Sequence, residues 1–121
     1  MAEHNILGEK GEQLAVDYLI QQGYKIIATN WRLHKYELDI LAQQGDELVV
    51  VEVKTRTTAF FGNPEEAVTL AKQKHLVNGA NCYIETYEID LDCRFDVIAI
   101  ILNKNKQEIT HFKDAFYPEL D

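Results

Sequence analysis

The stretch Leu48–Arg56, LVVVEVKTR, limits the folds open to this chain more than any other. A short run dominated by valine suits a buried strand better than a helix. Yet Glu52 and Lys54 stand inside it, and side chains two apart on a strand share a face. Leu48, Val50, Glu52 and Lys54 therefore line one face. Val49, Val51 and Val53 line the other, which is read as the core-facing one. The ordinary reading of such a Glu-x-Lys is an ion pair on a solvated sheet face.

The residues before it make that reading incomplete. QQGDE, Gln43–Glu47, is a turn signal between two strands. Gly45-Asp46 suits a two-residue type II′ loop, with glycine at the first central position. Gln44 then pairs with Glu47, and Asp39 falls opposite Glu52 with Glu37 opposite Lys54. A four-residue loop over Gln44–Glu47 keeps this register, whereas a Gln44-Gly45 loop puts Glu37 opposite Glu52. In each case two carboxylates face one another across the ladder, with Cβ atoms roughly 4.5–5.5 Å apart. Like charges so placed destabilise a sheet, and a divalent cation held by carboxylate oxygens neutralises them. Lys54 beside the pair suits a scissile phosphate or a metal-bound water, and the Val53 carbonyl is a further candidate ligand.

Around this hairpin the rest of the chain reads as follows. Leu7, Gly11, Leu14, Ala15, Tyr18 and Leu19 recur at helical spacing, predicting a first helix from about Leu7 to Gln22 that Gly23 ends. A short strand is expected near Tyr24–Ala28, a longer one over Trp31–Ala42, then Leu48–Thr55. Asn63-Pro64-Glu65-Glu66 is a helix start, and that helix is expected to run to about Glu85. Strands at Arg94–Leu102 and Gln107–Phe112 complete the order α-β-β-β-α-β-β, an α/β fold with a mixed sheet of about five strands flanked by helices. At 121 residues, with 46% hydrophobic and 26% charged residues, one globular domain spanning 1–121 is expected. Cys82 and Cys93 have neither disulfide-framework nor zinc spacing. The N-terminus shows no signal-peptide pattern and no run is long and apolar enough for a membrane helix, so a cytoplasmic location is expected.

The net charge of −8 argues against a tight nucleic-acid binder, because phosphates need cationic surface. The distribution softens this. Residues 1–52 and 85–121 each hold nine acids and four bases, whereas Lys54, Arg56, Lys72 and Lys74 leave residues 53–84 net positive.

An acidic residue, a hairpin turn and a strand carrying Glu-x-Lys resemble the PD-(D/E)xK nuclease superfamily. More narrowly, GEKGEQLAVDYL, GY, ELDILA, LVVVEVKTR, FGNPEEAV leading into KQKHL, and RFDV, in this order, resemble the UPF0102 (YraN-like) family, relatives of archaeal Holliday-junction resolvases. The resemblance covers about residues 8–100. It implies a restriction-endonuclease-like fold and an endonuclease that hydrolyses phosphodiester bonds of nucleic acid, with DNA as the expected partner and Mg²⁺ or Mn²⁺ as cofactor. It places the acidic position at Asp39 and the Glu-x-Lys at Glu52 and Lys54, and it adds a helix glutamate at Glu12 and a polar position at Gln73. Where the family usually has glycine before the Glu of the first strand motif, this chain has Tyr36. A homodimer is a further implication.

The residues agree with these placements without requiring them. Glu12 borders the apolar stripe of the first helix and could lean toward the sheet, or be a surface glutamate. Gln73 extends the face of Leu76, Val77 and Ala80, or is a polar helix end. Arg56, Lys72 and Lys74 are candidate phosphate contacts, or solvated cations. Phe60 and Phe61 read as packing residues or as a wedge against bases. Trp31 reads as core, Asp96 as a local partner of Arg94, and His34, His75 and His111 show no metal spacing. Besides a nuclease, the pattern admits a non-catalytic nucleic-acid-binding module, or an interaction scaffold on the same fold.

Overall fold

The computed structural model describes residues 2–58 and 68–117, with the side chains of 2–5 left aside. Its elements are α1 (Ala2–Gln21), β1 (Lys25–Leu33), β2 (Tyr36–Gln44), β3 (Glu47–Arg56), α2 (Leu70–Tyr87), β4 (Asp92–Leu102) and β5 (Gln107–Phe116). The five strands form one sheet in the order β1-β2-β3-β4-β5, antiparallel except for the parallel β3–β4 pair that α2 bridges. This is the mixed α/β architecture read from the sequence. Among the described residues no helix is long and apolar enough to cross a membrane.

Gly23 ends α1 as expected. Its φ of 89° is open to glycine, and Tyr24 N–H donates to the Leu19 carbonyl while Gly23 N–H donates to that of Ile20. The β2–β3 register is the one set by a Gly45-Asp46 loop: Gln44 pairs with Glu47 and Ile40 with Val51, and Gly45 has φ 57°.

Three expectations need correction. The strand expected over Trp31–Ala42 is two strands, because His34 takes a left-handed φ of 56° and turns the chain so that Leu33 pairs with Tyr36. No glycine, proline or asparagine marks that turn, so composition hid it. The second helix does not run unbroken from Asn63. Thr69 is extended (φ −66°, ψ 160°) and caps α2, its hydroxyl accepting from Lys72 N–H. The Asn63–Glu66 start, like Phe60 and Phe61, lies outside the described residues. Finally, the valine face is not the one core face. Val49 and Val51 pack with Ile40, Ile98, Ile100, Ala15 and Leu19 under α1, but Leu48 and Val50 pack with Leu41, Phe95, Leu76 and Ala80 under α2. A parallel pair at the sheet centre is covered on both sides, and β3 and β4 here follow that rule.

One buried polar network ties the elements together at the Gln44–Glu47 end of the sheet. Asp96 is 1% exposed. Its carboxylate accepts from Arg94 Nε and Nη2 (both 2.9 Å) and from Asp114 N–H (3.0 Å), and it lies 2.7 Å from His111 Nε2. Arg94 also donates to Gln44, Glu47 and the Tyr24 hydroxyl, and His111 Nδ1 lies 3.0 Å from the Tyr18 hydroxyl. Among the described residues no buried side-chain polar atom lacks a partner. Burial alone would raise the Asp96 pKa, but the hydrogen bonds from His111, Arg94 and Asp114, with the Arg94 charge, hold it below its ordinary value of 3.8.

The stability this carboxylate contributes is therefore complete above about pH 4 and is lost as pH falls through its lower folded value. Arg94→Met leaves a buried charge without its fork, so urea unfolding at pH 7 should read a loss of roughly 3–5 kcal/mol. That loss should shrink as pH falls through the lowered Asp96 value, where the carboxyl is neutralised and leaves no buried charge.

Candidate active site

At the end of β2 and β3 away from their shared turn, the ladder stops. Ile40↔Val51 is the last pair, and beyond it the strands part. Val53 N–H there donates not to a strand carbonyl but to Asp39 Oδ2, at 2.9 Å. The parting puts Asp39 beside Glu52, as the register predicted. Glu37 does not continue the ladder to Lys54. It pairs with Arg32 across β1 instead, Oε2 to Nε 3.3 Å, at the surface.

Glu52 is not on a solvated face. It is 5% exposed, beneath the N-terminal turn of α2. Two ammonium groups approach its Oε2: Lys54 Nζ at 3.6 Å and Lys72 Nζ at 3.8 Å. Burial, then the Asp39 charge, push its carboxyl up to about 7, with the two lysines offsetting part of the rise.

Glu12 approaches from the other side of the sheet. α1 lies so close to β3 that a Cβ on Gly11 would stand 1.8 Å from Thr55 Oγ1, so only glycine permits the contact. The next residue, Glu12, lines an open cleft of about 230 Å³ with Val53, Lys54, Thr55 and Arg56. Partial burial and the Asp39 charge raise its pKa, and a hydrogen bond with Asn30 works against the rise. Asn30 is the residue that sequence reasoning missed. It has φ 51°, and in its vicinity β1 and β2 reverse which side chains face α2. A lone asparagine within a strand-like run was the available signal.

The other candidates separate. Gln73 is near the site but its amide donates to the Val68 carbonyl (3.1 Å), holding the chain before the Thr69 cap. Lys72, read as a solvated cation or phosphate contact, reaches Glu52. Lys74 is exposed, and Arg56 is exposed at the cleft rim with Nη1 on the Thr55 carbonyl. Among the described residues no three acidic, histidine or cysteine side chains cluster closely enough to form a metal cage. The Asp39–Glu52 pair with the Val53 backbone is a sparser donor set. It suits a cation that keeps most of its waters and takes further oxygens from substrate, as Mg²⁺ does.

A family model described as an uncharacterised protein family, UPF0102, matches residues 11–100. The chain belongs to the UPF0102 family. It is 50% identical over 117 residues to a UPF0102 protein of Christiangramia forsetii, covering 97% of this chain and 98% of the relative. A UPF0102 protein of Bacteroides thetaiotaomicron is 50% identical over 120 residues, 99% of each chain. One from Porphyromonas gingivalis is 48% identical over 118 residues, 96% of this chain and 87% of the relative. The matched span of the UPF0102 model includes Glu12, Asp39, Glu52, Lys54 and Gln73.

Because the folded state holds the Glu52 proton more tightly than the unfolded chain, metal-free stability falls as pH climbs from 4.5 through about 7. Glu52→Gln removes that fall. In chelator at pH 8 it should be more stable than wild type by roughly 1–3 kcal/mol, whereas at pH 4 the two proteins should differ little. Thermal or urea unfolding at the two pH values checks both.

Proposed function

We propose that the chain is a divalent-metal-dependent endonuclease that hydrolyses phosphodiester bonds of nucleic acid, DNA foremost. The observation that carries the reading is the Asp39–Glu52 carboxylate pair at the parting of β2 and β3, with Lys54 Nζ 3.6 Å from Glu52. A structural ion pair explains Glu52 with a lysine. It does not explain why the group that accepts from Val53 N–H is a charged carboxylate, since an uncharged acceptor would meet that donor without repelling the buried Glu52.

Asp39, Glu52 and the Val53 carbonyl would hold Mg²⁺ or Mn²⁺. When bound, the ion supplies positive charge that makes water more acidic and neutralises the phosphate. The protein does the rest. Lys54 offsets charge that builds on the phosphate oxygens as water attacks in line. Glu12, its carboxyl already raised and open to the cleft, is suited to take up the proton of that water. Gln73 steadies the start of α2, which keeps Lys72 over Glu52. Arg56 and Lys74 offer phosphate contacts at the rim.

The test incubates the protein with branched, single-stranded and duplex DNA, with and without Mn²⁺. Wild type should cleave at least one of them only with metal, and Asp39→Ala and Lys54→Ala should each lower the rate about 100-fold or more. Cleavage unchanged in both variants rules the assignment out. Mn²⁺ titration should also show weaker binding by Glu52→Ala. DNA binding at low salt without cleavage would point to the non-catalytic module instead.

A further inference from the structure

Beside the carboxylates lies a strip of surface that, Lys72 apart, the proposed chemistry does not use. Lys72 Nζ contacts Glu52, and one turn further along α2, about 5 Å, stands His75. The His75 ring meets that of Tyr36, with centroids 5.1 Å apart and planes at 49°. Lys35 Nζ lies 5.7 Å from the Tyr36 centroid. Tyr36 opens β2 and Lys35 closes the β1–β2 turn, so the strip runs from the buried Glu52 to the tip of that hairpin. It carries two ammonium groups and two aromatic rings, on a chain whose net charge is −8.

The turn itself adds a second observation. His34 holds φ 56° where the other two-residue hairpin places Gly45 at φ 57°. A side chain in that conformation costs stability that glycine would not. The pairing of Leu33 with Tyr36 fixes this turn, and it puts an imidazole at the tip of the strip.

We infer that the strip formed by His34, Lys35, Tyr36, Lys72 and His75 binds an unpaired strand of the nucleic-acid substrate, with a base against the Tyr36–His75 rings. Sequence-tolerant binding of single strands combines aromatic faces with cations that follow the backbone, and the strip has both. A duplex keeps its bases stacked and offers this strip phosphates alone. His75 stands one turn from Lys72, the lysine that reaches Glu52, so a base on the Tyr36–His75 rings lies close to the scissile phosphate. This extends the nuclease reading by naming its substrate: DNA with unpaired nucleotides next to the cut, such as a flap, a fork or a branch.

Fluorescence anisotropy with a labelled pyrimidine oligonucleotide and a blunt duplex of the same length, in chelator at low salt, tests binding apart from cleavage. Wild type should favour the single strand. Tyr36→Ala should weaken single-strand binding about tenfold, within the range expected for one lost base stack, and change duplex binding less than about twofold. Tyr36→Trp should retain single-strand affinity, which separates lost stacking from a disturbed strand. His34→Gly should raise the thermal midpoint while lowering single-strand affinity, a combination that a purely structural turn residue would not give. No preference in wild type, or equal losses on both ligands in Tyr36→Ala, overturns the inference. A protein that binds in this pattern but cleaves nothing with Mn²⁺ would keep the strip and discard the nuclease.

Discussion

The Val53 N–H···Asp39 Oδ2 hydrogen bond is the interaction on which the site depends. Where β2 and β3 part, a backbone donor loses its strand acceptor, and an unmet donor in a partly buried place is costly. The Asp39 carboxylate supplies the replacement. A single side chain thereby ends the ladder, satisfies the main chain and stands beside Glu52. The carboxylate is oriented by the fold before any ligand arrives, with no long flexible stem to order. Glu12 reaches the same place only because Gly11 lets α1 lie against Thr55. The parting of two strands and one close approach of helix to sheet thus set Asp39 within electrostatic reach of Glu52 on one side and of Glu12 on the other.

Much of this was legible in the sequence for a local reason. Turn chemistry at Gly45-Asp46 fixes which residues oppose one another, and a period of two fixes their faces, so Asp39 and Glu52 could be matched across thirteen residues. What was not legible came from long-range packing. Leu48 and Val50 alternate with Val49 and Val51, and nothing local says that a helix some twenty residues later will cover the first pair as well. Glu52 looked half solvated for that reason. Lys72 looked solvated because its partner is chosen by where α2 lands. The His34 turn was hidden because its conformation is set by the pairing of Leu33 with Tyr36 and not by residue preference.

The charge balance also reads differently in three dimensions. A net −8 counts Asp96 and Glu52 as surface anions, but both are buried and matched by cations within hydrogen-bonding or ion-pairing reach. The total therefore says little about what any one face presents. Lys35, Lys54 and Lys72 gather toward one end of β2 and β3, and a polyanion would meet them as a local field, with the distant acids damped by salt over about 10 Å.

Arg94 grips the opposite end. Its guanidinium joins the β2–β3 turn through Gln44 and Glu47, the α1–β1 junction through Tyr24, and β5 through Asp96 and its partners His111 and Asp114. The β2–β3 pair is thus clamped where its strands meet and open where they separate, like tongs held at the hinge. At the open end the link between them is the Val53 N–H···Asp39 Oδ2 hydrogen bond, made by a side chain and not by the ladder. The separation of the two strands there is set by one side chain, while the register that delivers that side chain is held by a residue at the far end of the sheet.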